Sequence, residues 1–247
     1  MTEEQYSRSE LLLGAGATAK LKAAHVAVFG IGGVGSYLVE ALVRMGIGEI
    51  TLIDADTYAP SNLNRQLYAT TKTVGQEKTL AAKERIHEID PSVQVHTFCR
   101  FVLPENINEY DFSCFDYVAD AIDTVGAKLA IIKACHAVGT PVISAMGAGN
   151  KLDPTAFRVA DISKTSGCAL ARIMRKECGK RGLKNIKVVF SEELPLDPQT
   201  DGEDIEPQRE GSSRRSTPGS VSFVPAVAGL IMAGEVIKDL CQGDLNV

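Results

Sequence analysis

The feature that most restricts how this chain can fold is the junction at residues 24–36. There the apolar run AHVAVFG passes into three closely spaced glycines, Gly30, Gly32 and Gly35, and then into SYLVEALVRMG. The apolar run reads as a buried strand over 26–30. The stretch after it carries Leu38, Ala41, Leu42 and Met45 at helical spacing, so a helix over 34–45 is expected. A G-x-G-x-x-G turn leaves Gly30, Gly32, Gly33 and Gly35 without side chains where backbone can approach an anion. The helix start adds unpaired N–H donors and the positive end of its dipole. A nucleotide phosphate is the expected ligand, although the spacing serves nicotinamide, flavin and ATP sites alike.

The first half repeats the alternation. Strands are expected in EITLIDAD, VQVHTFC, DYVADAID and PVISAMG, with helices over 76–88 and 126–137. Such an order requires right-handed crossovers and gives an α/β, doubly wound, Rossmann-like and mostly parallel sheet, with ligands beyond the carboxyl ends of the strands. Residues 1–150 form this nucleotide-binding core. Residues 151–247 form an extension with a mobile loop over about 191–218 and a C-terminal apolar helix. Asp54 and Asp56 end the second strand, and Asp120 and Asp123 the fourth, which places all four at the ligand edge.

The residues after Asp56 separate the nucleotides. Asp54 lies nineteen residues beyond Gly35, where a dinucleotide fold keeps an acid for ribose. Next come Asn62, Asn64, Arg65, Gln66 and Lys78. Hydride transfer has no use for an arginine and a lysine beside the nucleotide. Adenylation needs cations on the triphosphate, because charge moves onto the leaving pyrophosphate. The local chemistry therefore favours ATP.

The motifs GIGGVGS, LIDADTYAPSNLNRQ, VGQEK and DAIDT, in that order, resemble the ubiquitin-activating-enzyme-like adenylating superfamily over about residues 6–150. The resemblance implies that the glycine loop and Asp54 hold the nucleotide, with Asp56 and Asn64 in the same site. Asn62, Arg65 and Lys78 match phosphate-holding residues, and Asp123 matches a magnesium-linked aspartate. The other reading of Asp123 is a helix N-cap. Arg8 matches an arginine that reaches into the partner subunit's ATP site, which implies a homodimer. ATP and Mg2+ are the implied cofactors. Arg8, Arg65, Lys78 and Asp123 are the implied catalytic set.

The second half narrows the branch. The sequence has six cysteines and no C-x-x-C pair, against both a disulfide framework and a structural zinc, and in keeping with a cytoplasmic chain. The stretch AMGAGNKLDPTAFRVADISKTSGCALARIMRKECGKRGLKN is similar to the branch acting on tRNA, the threonylcarbamoyladenosine dehydratases. These use ATP to activate the carboxylate of the modified adenosine, which then cyclises with loss of water. The residues give independent support: eight Lys or Arg against one Glu lie between 164 and 187, in a chain of net charge −5. In ALARIMRKE, Arg172, Arg175 and Lys176 share a helix face, with Leu170, Ile173 and Met174 expected opposite. Lys180 and Arg181 extend the patch. Such a stripe suits a phosphate backbone, or it is a solvated face. Cys168 reads as packing more readily than as a nucleophile.

The N-terminus lacks an apolar signal region. The apolar part of VSFVPAVAGLIMAGEVIKDL is about fourteen residues, short of the ~20 a membrane span needs. It reads as a helix on the sheet or at the dimer interface, with peripheral membrane contact as the minor alternative. A sulfur-transfer partner protein is left open. The competing activities are adenylation of the C-terminal glycine of a ubiquitin-like sulfur carrier, which would draw on Cys168, and a nicotinamide-dependent oxidation.

Overall fold

In a computed structural model, residues 3–199 and 218–243 are described. Helix α1 (Ser7–Ala23) precedes β1 (His25–Phe29), α2 (Gly35–Arg44), β2 (Glu49–Ile53), α3 (Lys78–Ile89), β3 (Gln94–Phe98), β4 (Tyr117–Asp120), α4 (Val125–Val138) and β5 (Val142–Ala145). The chain then adds β6 (Phe157–Asp161), α5 (Ala169–Lys180), β7 (Lys187–Ser191) and α6 (Phe223–Leu240). Seven strands form one sheet in the order β3-β2-β1-β4-β5-β7-β6. Every pairing is parallel except β6 with β7. The α/β, mostly parallel expectation is met.

The order places β1 between β2 and β4. This is the topological switch point, where crossovers leave in opposite directions and open a crevice at the carboxyl ends. Val26 and Val28 point into one core with Leu38, Leu42, Ile50 and Leu52, which α2 and α6 cover. Ala27 and Phe29 point into the other, with Ile53, Val118, Phe112 and Ile131. A strand buried on both faces reads as a continuous apolar run, which is why AHVAVFG was legible.

The extension joins the same sheet: β7 pairs with β5, and β6 adds an antiparallel edge. α6 packs on α2 with Val224, Ala228, Met232 and Val236 buried, as a helix on the sheet. No helix among the described residues is long and apolar enough to cross a membrane. Of the expected loop over 191–218, Ser191 closes β7, and residues 200–217 lie outside the described residues.

Two local expectations need correction. Ile173 is 44% exposed, because α5 turns Ala171, Met174 and Cys178 inward rather than Ile173. β4 ends at Asp120, so Asp123 lies beyond the strand and Asp120 lies inside the protein.

Candidate active site

The glycine loop owes its shape to close backbone approaches. Gly30 has φ of 89°, and a Cβ there would stand 2.9 Å from the Ala121 carbonyl oxygen. A Cβ on Gly35 would stand 1.8 Å from the Gly30 carbonyl oxygen, an impossible overlap. The spacing therefore lets the first turn of α2 fold back over the end of β1. Ser36 locks it, accepting from the Leu67 N–H at 3.1 Å and donating to the Gly32 carbonyl at 2.7 Å. Among the described residues no side chain caps α2; the Ser36 N–H turns back to the Gly32 carbonyl at 3.0 Å, and the glycine loop before it faces the crevice.

Asp54 reaches across from β2. Its Oδ2 accepts from the Ile31 N–H at 2.6 Å and its Oδ1 from the Asp56 N–H at 2.9 Å. The carboxylate thus ties the second strand end to the glycine loop, in the crevice where a ribose acceptor belongs. Asp56 Oδ2 pairs with Lys78 Nζ at 3.0 Å, and Lys78 is only 5% exposed. A lysine so buried at the first residue of α3 is a fixed cation aimed by its partner.

The segment 60–66 curls over the loop. Asn62, 4% exposed, accepts from the Ala59 N–H at 3.1 Å and holds the turn. Arg65 donates to the Ser61 carbonyl at 2.8 Å and to Asn64 Oδ1 at 3.0 Å, while Asn64 donates to the Ser220 carbonyl at 3.0 Å. A Cβ on Gly33 would meet both Pro225 and Arg65 within 3.5 Å, so the loop sits between this segment and the start of α6. The Gln66 amide nitrogen lies 3.9 Å from the Cβ position of Gly32, and Gln66 Oε1 is buried without a partner.

Asp123 is exposed, two residues past the Ala121 carbonyl that abuts Gly30. The N-cap of α4 is Thr124, without a side-chain cap bond, so Asp123 is not the cap residue. Asp120, expected at the ligand edge, instead forms a fully buried cluster: its Oδ2 accepts from Lys128 Nζ at 2.9 Å and Ser144 Oγ at 2.6 Å. Its Oδ1 accepts from the Ile122 N–H at 3.2 Å, which fixes the loop that carries Asp123. Lys128 gave no sequence signal beyond a lysine on an apolar helix.

Gly30, Gly32, Gly33, Gly35, Asp54, Asp56, Asn62, Asn64, Arg65, Lys78 and Asp123 thus surround the carboxyl ends of β1, β2 and β4. Arg8 does not join them. It is exposed in the first turn of α1, just after Tyr6, whose ring packs on Gly46 beyond the far end of α2. The ten residues of α2 put that end about 15 Å from the loop.

In the extension, Lys164, Arg172, Lys176, Lys180, Arg181 and Lys184 are exposed. Arg175 is half-buried and donates to Thr165 Oγ1 at 2.7 Å, and Lys187 turns away to Asp239 and Glu235 of α6. Hydrogen bonds from Lys180 and Arg181 hold the Glu177 carboxyl down at about 2. Cys168 is buried before α5.

The sequence pattern of the ThiF family matches residues 6–246. The tRNA threonylcarbamoyladenosine dehydratase of Bacillus subtilis strain 168 is 43% identical over 241 residues, 96% of this chain and 95% of that protein. The crystal structure of the E. coli tRNA N6-threonylcarbamoyladenosine dehydratase with AMP superposes with a TM-score of 0.86 at 35% identity, covering 96% of this chain and 94% of that one. The same E. coli enzyme with ATP gives 0.85 at 33% identity, covering 96% and 93%. This chain belongs to the ThiF family.

Proposed function

We propose that this protein is an ATP-dependent tRNA threonylcarbamoyladenosine dehydratase: it adenylates the carboxylate of threonylcarbamoyladenosine in tRNA and promotes its cyclisation. The observation that carries the adenylation is the pairing of an uncapped glycine-loop helix start with Lys78 and Arg65, both fixed beside it. The likeness to dehydratases along nearly the whole chain supplies the substrate class.

The amides before α2 receive the phosphates, and Asp54 accepts from ribose hydroxyls. Arg65 and Lys78 take up charge as the substrate carboxylate attacks the α-phosphorus and pyrophosphate departs. An atom of the same carbamoyl group then attacks the acyl carbon of the acyl-adenylate, which closes the ring, expels AMP and gives up a proton. Ring closure within one molecule gains from proximity, with effective molarities reaching ~10⁵ M or more. This chemistry requires no cysteine nucleophile, which accords with a buried Cys168.

Asp123 offers an exposed carboxylate oxygen beside the loop, a hard donor that fits Mg2+. When bound there, the ion would neutralise phosphate charge. Arg8 lies too far from the loop of its own chain, so it serves the site of a second copy. Leu11 and Leu12, 86% and 87% exposed on α1, supply the apolar surface for that homodimer. Arg172 and Lys176, exposed four residues apart, lead the tRNA-binding surface, with Arg175 holding the helix in place and Lys180 and Arg181 at its end. Six free cysteines accord with the cytoplasm.

Mixing tests the shared site. Arg8→Ala and Asp123→Ala are each expected to be inactive in converting threonylcarbamoyladenosine-containing tRNA. Random reassembly of the two as dimers restores about a quarter of wild-type activity, since half the dimers are mixed and each mixed dimer has one intact site. No recovery on mixing would remove Arg8 from the partner's site.

A further inference from the structure

The amino end of the sheet carries a second group of reactive side chains that the nucleotide chemistry does not use. His25 opens β1, Glu49 opens β2 and His96 sits in the middle of β3. The parallel register sets His25 beside Glu49, and Thr51 beside His96. Side chains alternate across a strand, so these four emerge on the face that carries Phe29, Ile53 and Phe98 further along. His25 is five residues before Gly30, about 16 Å at the rise of a strand. The group is therefore separate from the nucleotide edge.

The three ligand-type side chains converge. His96 Nε2 lies 2.8 Å from Glu49 Oε1, and His25 Nδ1 lies 3.6 Å from the same oxygen. One ligand atom from each falls within 4.8 Å of the others, the one such group of three among the described residues. Zinc bound tetrahedrally at ~2.0–2.1 Å needs donor atoms about 3.3 Å apart, a value the observed spacings bracket.

The surroundings orient His25 for ligation. Its Nε2 lies 2.8 Å from Thr51 Oγ1, on a residue 2% exposed. Donating the Nε2 proton to that hydroxyl leaves Nδ1 as the lone-pair nitrogen facing Glu49, the outer support that ligating histidines require. The His25 backbone N–H donates to Asp116 Oδ2 at 2.8 Å, and the ring packs edge-on against Phe115 at 4.9 Å between centroids. The cluster opens into a cavity of about 330 Å³, also lined by Tyr110, Asp111 and Cys114.

We propose that His25, Glu49 and His96 bind one divalent transition-metal ion of the zinc class, with its fourth position open to this cavity. Two imidazoles and a carboxylate select against Mg2+ and Ca2+, which take oxygen donors. Three side chains with an open fourth position is the arrangement in which zinc holds a water or an exchangeable anion. The ion would also tie three neighbouring strands together, two of them at their first residues.

The test uses the metal-stripped full-length chain without ATP, titrated with Zn2+ in excess Mg2+ against a chromogenic chelator, and with Co2+ for its visible absorption. The expected result is one Zn2+ per chain, a raised Tm, and Co2+ bands of a four- or five-coordinate site. His96→Ala removes a side chain 48% exposed, and Glu49→Gln keeps the shape, so both variants should fold. Each is expected to weaken Zn2+ binding at least about tenfold, and Thr51→Val about tenfold through loss of the outer support. Asp123→Ala retains Zn2+, which separates this site from the nucleotide reading. Failure to retain Zn2+, or binding unchanged in both Glu49→Gln and His96→Ala, overturns the proposal.

Discussion

Replacing Lys128 by Met tests whether the buried cluster behind the active-site loop is an ion pair that holds it. Lys128 and Asp120 are both fully buried, 2.9 Å apart, and Ser144 donates to the same carboxylate oxygen. Methionine keeps the length of the side chain but leaves a buried carboxylate without its cation. Removing one partner of such a pair costs about 3–5 kcal/mol. That loss is about 6–20 °C in Tm for a chain this long.

Thermal denaturation at pH 7 measures it, with Asp120→Asn/Lys128→Met expected to recover most of the loss because no unpaired charge remains. The single variant should also bind ATP more weakly, since Asp120 fixes the Ile122 N–H in the loop before Asp123. A loss under 1 kcal/mol at pH 7, or a double variant no more stable than the single one, would show that the cluster does not act as an ion pair.

Gly35→Ala would force a methyl group to 1.8 Å from the Gly30 carbonyl, so ATP should no longer raise the Tm even where the variant remains folded. Tyr6→Phe removes the 2.7 Å bond from Tyr6 Oη to Asp90, at a cost of about 1.5–3 kcal/mol at neutral pH. Burial works to raise the Asp90 carboxyl, but bonds from Ser92 and Tyr6 outweigh it and hold it below its usual range. That stabilisation is present above the unfolded value and lost as pH falls through the lower folded one, so the two proteins should converge in acid denaturation. Burial, with Asp120 nearby, pushes the Cys135 thiol up to about 12, so brief alkylation of the native protein should label Cys99 and Cys114 and spare Cys135.

What could be read in the sequence was what leaves a periodic or spaced trace. β1 shows as an apolar run because both its faces are buried, and the glycine loop shows because only hydrogen fits at Gly35. Asp54, Arg65 and Lys78 were legible because the order of the chain brings them to one crevice. α1 was not foreseen: it exposes Leu11 and Leu12 and is broken at Gly14, where φ is 83°, so its apolar residues trace no single face. β6 was hidden because it is an edge strand with one buried residue, so it leaves no apolar run. The burial of Asp120 was invisible because its partners Lys128 and Ser144 are met only when α4 and β5 pack beside β4. Lys187 appeared to belong to the basic stripe until β7 placed it against the acids of α6.

In the proposed reaction ATP is spent on a carboxylate of tRNA. Its most direct test is to count pyrophosphate released by the purified protein with tRNA containing threonylcarbamoyladenosine, and to weigh the modified nucleoside afterwards. Release that depends on this tRNA is expected, with one pyrophosphate for each nucleoside that has lost one water. Pyrophosphate exchange indifferent to tRNA but stimulated by a small protein ending in Gly-Gly would contradict it, and would mark the chain as an adenylyltransferase for a sulfur carrier.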